Sequence, residues 1–128
     1  MPLTPAQLAG LARERVISIP ESLASTDRDG WLNLLLAELV EPNLGSERPE
    51  FVFDYPASQA ALAVIRPGAP PVAERFELYV AGIELCNGYH ELTDAAELRR
   101  RIESESQRRV SEGLPALPVS NRLLAAME

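Results

Sequence analysis

The stretch AERFELYVAGIELCNGYHELTD, from Ala73 to Asp94, is the part of the chain whose reading decides the fold. Its apolar and polar residues alternate on both sides of Ala81-Gly82, and glycine tolerates the positive φ that a tight strand reversal requires. The pattern predicts an antiparallel hairpin with Arg75 to Val80 and Ile83 to Tyr89 as its arms. Across a turn at Ala81-Gly82, Val80 faces Ile83 and Tyr79 faces Glu84, so Glu77 and Glu84 lie diagonally on one face. Two carboxylates so placed can hold a hard divalent cation and, through it, a polyphosphate. An ordinary solvated strand face gives the same pattern. Asn87, Tyr89 and Glu91 alternate further along, and an amide, an aromatic ring and a carboxylate together suit an amino-acid ligand. A bland strand end reads no differently. Strict alternation sends Glu84 and Asn87 to opposite faces, so a shared site requires a β-bulge, for which Gly88 offers a nearby place.

Upstream of the hairpin the pattern is helical. Thr4 followed by Pro5 is a cap and first-turn proline, with Leu8, Leu11, Ala12 and Val16 as an apolar stripe. After a polar break from Pro20 to Asp29, a second helix is expected through Trp31, Leu32, Leu35, Leu36, Leu39 and Val40, ending at Pro42 and Gly45. Phe51 to Phe53 and Ala61 to Ile65 read as short strands, with a proline- and glycine-rich link at Pro67 to Pro71. Downstream, Thr93 and Asp94 open a long charged helix from Ala95 to Glu112, which Gly113 ends. A proline-punctuated loop and a last helix beginning near Ser120 follow. Helices, then antiparallel strands, then helices make α+β the expected class.

Composition excludes several chemistries. With 128 residues and 46% apolar content, one globular domain with its own core is the default. A net charge of -7 argues against a surface built to neutralise phosphate backbones. The chain contains no lysine, so neither a Schiff-base nor a phosphate-loop lysine exists in it. Cys86 is the sole cysteine and His90 the sole histidine, which rules out an internal disulfide and a Cys/His zinc site. No apolar run is long enough for a signal peptide or a bilayer span, so a cytoplasmic location without membrane contact is expected. Arg99 to Arg101 with Arg108 and Arg109 could meet an acidic partner, but neighbouring glutamates make a solvated, ion-paired helix face the simpler reading.

The segment ERFELYVAGIELCNGYHELTD resembles the stretch before motif 3 in class II lysyl-tRNA synthetases, where ERFE and a short turn precede EI-x-NG-[FY]-x-EL-x-D. The resemblance extends over about Asp27 to Glu128. It implies part of a class II aminoacyl-tRNA synthetase-like antiparallel sheet with flanking helices, with residues 1–50 as a helical insertion and 51–128 as a partial catalytic core. It also implies that Glu77 and Glu84 bind the Mg²⁺ of ATP, that Asn87 and Tyr89 line the amino-acid pocket, and that Glu91 recognises the side-chain ammonium. PASQAALA, Pro56 to Ala63, with His90 and Thr93, is similar to the branch that ligates lysine or (R)-β-lysine to elongation factor P. Lysyl-tRNA synthetases, acting on tRNA-Lys, carry PxExSPLA there and are one alternative; a non-catalytic remnant that survives as a binding domain is the other. Cys86 departs from both branches and would reshape the pocket floor; a small buried apolar residue is its simpler role. No motif 1, motif 2 or motif 3 is found, so the resemblance implies a fragment, inactive alone, of a homodimeric ATP-dependent ligase.

Overall fold

The computed structural model describes residues 2–127 and divides the chain into two compact units, one up to His90 and the other from Glu91 on. The first unit opens with α1, Pro5–Glu14. Thr4 closes a capping box, its hydroxyl accepting from the Gln7 amide while the Gln7 side chain accepts from the Thr4 amide. Leu8 and Ala12 are buried as the stripe predicts, but Val16 lies past the helix end with φ 56° and is 90% exposed. The chain has already turned out of the helix there, so the helical spacing no longer governs where that side chain goes.

Asp27 caps α2, Arg28–Leu35, by accepting from the Gly30 amide at 3.0 Å. Trp31, buried, packs on Leu8, Ala9 and Ala12, and its indole N–H donates to the Ala24 carbonyl at 3.2 Å. The expected single helix through Val40 instead widens into a π-turn, Leu36–Val40, followed by a 3-10 turn, Glu41–Asn43. Leu32, Leu34 and Leu35 pack toward α1, whereas Leu36 packs on the sheet. One apolar run thus serves two clusters, and the change of helical pitch re-aims it.

The sheet has four strands: β1, Glu50–Pro56; β2, Ile65–Arg66; β3, Val72–Val80; and β4, Ile83–Tyr89. Central β3 pairs antiparallel with all three others. The strand expected over Ala61 to Ile65 shrinks to Ile65–Arg66, because Ala57–Gln59 is a 3-10 turn and Ala61 takes φ 48°. Ala60 and Ala63 are buried all the same, packed with Tyr55 and Ala73.

The β3–β4 turn is tight, with Ala81 at φ 52° and Gly82 at φ 75°. It is tied to the loop before β1: the Ala81 amide donates to the Gly45 carbonyl and the Gly82 amide to the Leu44 carbonyl, each at 2.8 Å. Two anchored amides compensate a left-handed alanine, which free in a turn would be strained. One face of the sheet carries Phe51, Phe53, Phe76 and Leu85, all exposed, with Phe51 edge-on to Phe76 at 5.7 Å.

The second unit holds α3, Ala95–Ser111, and α4, Asn121–Met127, around Leu92, Leu98 and Leu124. Asp94, rather than Thr93, caps α3 by accepting from the Glu97 amide at 2.9 Å. Arg100 and Arg101 are ion-paired locally with Glu97, and Arg108 with Glu105 and Glu112, in keeping with a solvated helix face. No helix among the described residues is long and apolar enough to cross a membrane.

Gly45 is a sharp test of the anchored turn. It has φ 68°, and a Cβ there would lie 2.6 Å from the Val80 Cα and against the Tyr79 carbonyl. Gly45→Ala is expected to lower unfolding free energy by about 2–4 kcal/mol, since neither backbone neighbour can move cheaply. Urea denaturation checks it; Gly113→Ala, at φ 78° but with open space around it, separates left-handed strain from the clash.

Candidate functional site

The polar face of the hairpin depends on one irregularity. Tyr79 pairs with Glu84 and Val80 with Ile83, as the turn position dictates, but Leu78 pairs with Cys86. Leu85 is therefore an extra residue on β4, a bulge that reverses the parity of everything after it. Glu77 consequently pairs with Asn87 and Arg75 with Tyr89. The bulge required for a shared face exists, at Leu85 rather than beside Gly88.

With parity reversed, Glu84 and Asn87 fall on the same face, and the Asn87 Nδ2 donates to Glu84 Oε1 at 3.2 Å. Both are exposed. Tyr89 is partly buried, packed on the Tyr55, Ala60, Ala63 and Ala73 cluster. Cys86 pairs with Leu78 between Leu85 and Asn87, so alternation turns it to the face opposite Asn87. It is exposed, which overturns the reading of Cys86 as a small buried residue. Glu91 is exposed and begins the second unit.

Glu77 differs from Glu84 in every respect but charge. It is 5% exposed, the buried charged side chain of the core. Its Oε2 accepts from the Tyr55 hydroxyl at 2.5 Å and the Tyr79 hydroxyl at 2.7 Å, while Arg75 donates to Oε1. A solvated strand face is therefore not what surrounds it. The Arg75 guanidinium lies 4.5 Å over the Tyr55 ring and also reaches the Gln59 carbonyl at 3.4 Å. Burial, and then the hydrogen bond to Glu77, push both tyrosine hydroxyls well above the usual phenol range, so they remain neutral donors.

The PASQAALA segment supports this face from below. Ser58 donates to Asp29 at 2.8 Å and Gln59 to Asn33 at 2.9 Å, fastening the turn to α2. The sequence reading missed Arg75 and Tyr79 as partners of Glu77, although the alternation of all three along one strand was a signal for them. Tyr55 was not, because its place depends on the long-range pairing of β1 with β3.

The donor set suits a hard cation only in part. A carboxylate offers about four lone-pair sites, and Glu77 already accepts from Tyr55, Tyr79 and Arg75. No group of three or more His, Cys, Asp or Glu side chains able to hold a metal occurs among the described residues. Magnesium, however, is commonly held by one or two carboxylates completed by substrate phosphates and water. Glu84, with the remaining acceptor capacity of Glu77, fits that mode and not an all-protein cage.

Glu77→Ala is expected to cost about 2–4 kcal/mol in urea denaturation, because two buried hydroxyls and Arg75 lose their acceptor together. A pH signature is also expected. Tyr55 and Tyr79 ionise at higher pH when folded than when unfolded, where the ordinary value is 10.0. Above about pH 10 the unfolded chain binds fewer protons than the folded one, so stability declines as pH rises further. Tyr55→Phe and Tyr79→Phe should each flatten that alkaline decline in denaturant midpoints measured against pH.

A profile for class II tRNA synthetases (D, K and N) matches residues 35–114. The chain is 56% identical over 102 residues to an elongation factor P (R)-β-lysine ligase of Edwardsiella ictaluri. It is 54% identical over 102 residues to the ligase of that name from Klebsiella pneumoniae strain 342, and 51% to that of Salmonella arizonae. Each match takes in 80% of this chain and 31% of the relative, so the chain spans about a third of the length of the curated relatives it matches. With its match extending over most of its length, from the second helix through the hairpin and α3, the chain belongs to the class II tRNA synthetase family (D, K and N).

Proposed function

We propose that this chain supplies the phosphate-facing hairpin and amino-acid strand of an ATP-dependent ligase that activates lysine or (R)-β-lysine as an aminoacyl-adenylate and transfers it to elongation factor P. The observation that carries this reading is the bulge at Leu85, which brings Asn87 onto the face that Glu77 and Glu84 already share. Identity of 51 to 56% to ligases of that name supports the substrate class. The exposed apolar face of Phe51, Phe53, Phe76 and Leu85 supports a setting in which further elements of such an enzyme pack on this sheet.

In this reading the residues divide the work by burial. Magnesium, when bound, offsets the charge of the ATP phosphates. Glu84, exposed and free to reorient, is the adaptable carboxylate, and Glu77 the fixed one. Asn87 presents an amide to the substrate's α-carboxylate or α-amine, Tyr89 covers its aliphatic chain, and Glu91 pairs with the distal ammonium. Orientation of the carboxylate toward the α-phosphate is then the main contribution of these side chains to the rate. Cytoplasmic location and a homodimeric parent belong to the same proposal.

Lysine- or β-lysine-dependent ATP/pyrophosphate exchange tests it. The chain joined to the remaining length of its relatives should exchange, and Glu84→Gln should reduce the rate roughly 100-fold, the scale of losing one electrostatic contact to a developing charge. Glu91→Ala should raise the KM for the amino acid more than it lowers kcat. The 128-residue chain alone should show no exchange above background. Robust exchange by this chain alone, or a rate indifferent to Glu84→Gln, overturns the reading.

A further inference from the structure

Glu77 has more partners than a metal-binding carboxylate uses. We infer that Tyr55, Tyr79 and Arg75 are positioning residues for Glu77, the two hydroxyls fixing one oxygen permanently and the guanidinium holding the other as an internal counterion that a divalent cation displaces. The inference rests on the reading of Glu77 as a carboxylate that serves ATP-bound magnesium, and it adds what sets that carboxylate's geometry.

The arrangement of the donors carries the argument. Tyr55 comes from β1 and Tyr79 from β3, and both hydroxyls converge on Oε2, at 2.5 and 2.7 Å. Rotation of the carboxylate about its last torsion breaks both bonds at once, in a site where water cannot replace them because Glu77 is 5% exposed. Oε2 is therefore the anchored oxygen.

Oε1 is held differently. Its partner is the long side chain of Arg75, partly exposed, which is bound at the same time to two other features. The Tyr55 ring lies under the guanidinium at 4.5 Å and the Gln59 carbonyl accepts from it at 3.4 Å. Arg75 can leave Oε1 and still rest on a π-face and a backbone acceptor, since a guanidinium has five N–H donors. A buried carboxylate without any cation nearby is costly, so Arg75 compensates Glu77 whenever no divalent ion does. With Arg75 displaced, Glu77 Oε1 and the Glu84 carboxylate would be the groups to hold a divalent ion. Tyr55, which anchors Glu77 through its hydroxyl, therefore also guides the counterion through its ring.

The experiment is side-chain NMR on the 128-residue chain, reading tyrosine hydroxyl protons and arginine guanidinium signals. In the metal-free chain, two downfield, slowly exchanging hydroxyl protons are expected. Tyr79→Phe should remove one and Tyr55→Phe the other, with the backbone amide spectrum reporting that each variant is folded, and Glu77→Gln should move both upfield. Arg75→Gln should retain both resonances, which keeps the test decisive where a tyrosine variant unfolds. Addition of Mg²⁺ with a non-hydrolysable ATP analogue to the chain joined to the remaining length of its relatives should leave both hydroxyl signals in place and shift the Arg75 guanidinium toward its position in Glu77→Gln. Hydroxyl protons that exchange as fast as that of Tyr89, or that ignore Glu77→Gln, overturn the positioning role. Loss of both signals on metal addition overturns the permanent anchor. If the metal-free resonances behave as expected and the metal with nucleotide moves none of the signals, the functional reading of Glu77 and the counterion exchange fail while the positioning role stands.

Discussion

Burying a carboxylate is the constraint to which the polar face of this sheet answers. An ionised side chain removed from water is tolerated only when donors replace its hydration. Glu77 meets that condition through Tyr55, Tyr79 and Arg75, drawn from two neighbouring strands. The requirement reaches outward. Tyr55 can donate only if β1 pairs with β3 in the observed register, and Arg75 is steered partly by Gln59, whose turn is fastened to α2 by Asn33. One buried charge thus links the sheet, the PASQAALA turn and the second helix.

The two glutamates of the hairpin illustrate how position gives identical side chains different surroundings. Both lie on one face, and both were expected as equivalent metal ligands. Glu84 is exposed and touches only Asn87 among the contacts described. Glu77 is enclosed and nearly saturated with donors. One fixed and one adaptable carboxylate carry a smaller ordering cost than two mobile side chains would.

Much of the architecture was legible because it is written in local patterns. Thr4-Pro5 and its Gln7 partner form a capping box from adjacent residues, and the hairpin arms on either side of Ala81-Gly82 follow from alternation and a turn residue. Local patterns misled where the backbone left regular structure: Val16 beyond the end of α1, the π-turn after Leu35, and the shrinking of the Ala61 to Ile65 strand. In each case helical or strand spacing was extended across a residue that had already changed conformation. For the site, the residue types and their alternation were readable from Glu77 to Tyr89, but the position of the bulge was not, because nothing local distinguishes a bulge at Leu85 from one at Gly88.

The sequence by itself determined the hairpin, the carboxylates on it and, through ERFELYVAGIELCNGYHELTD, the family, since all of these are carried by residue type and short-range spacing. Only the tertiary structure decided which carboxylate is buried, which tyrosines hold it and which face Cys86 takes. Burial and register are properties of strands that meet from distant parts of the chain. A period of two residues says that side chains alternate; it takes the pairing partner, and the single extra residue in β4, to say toward what.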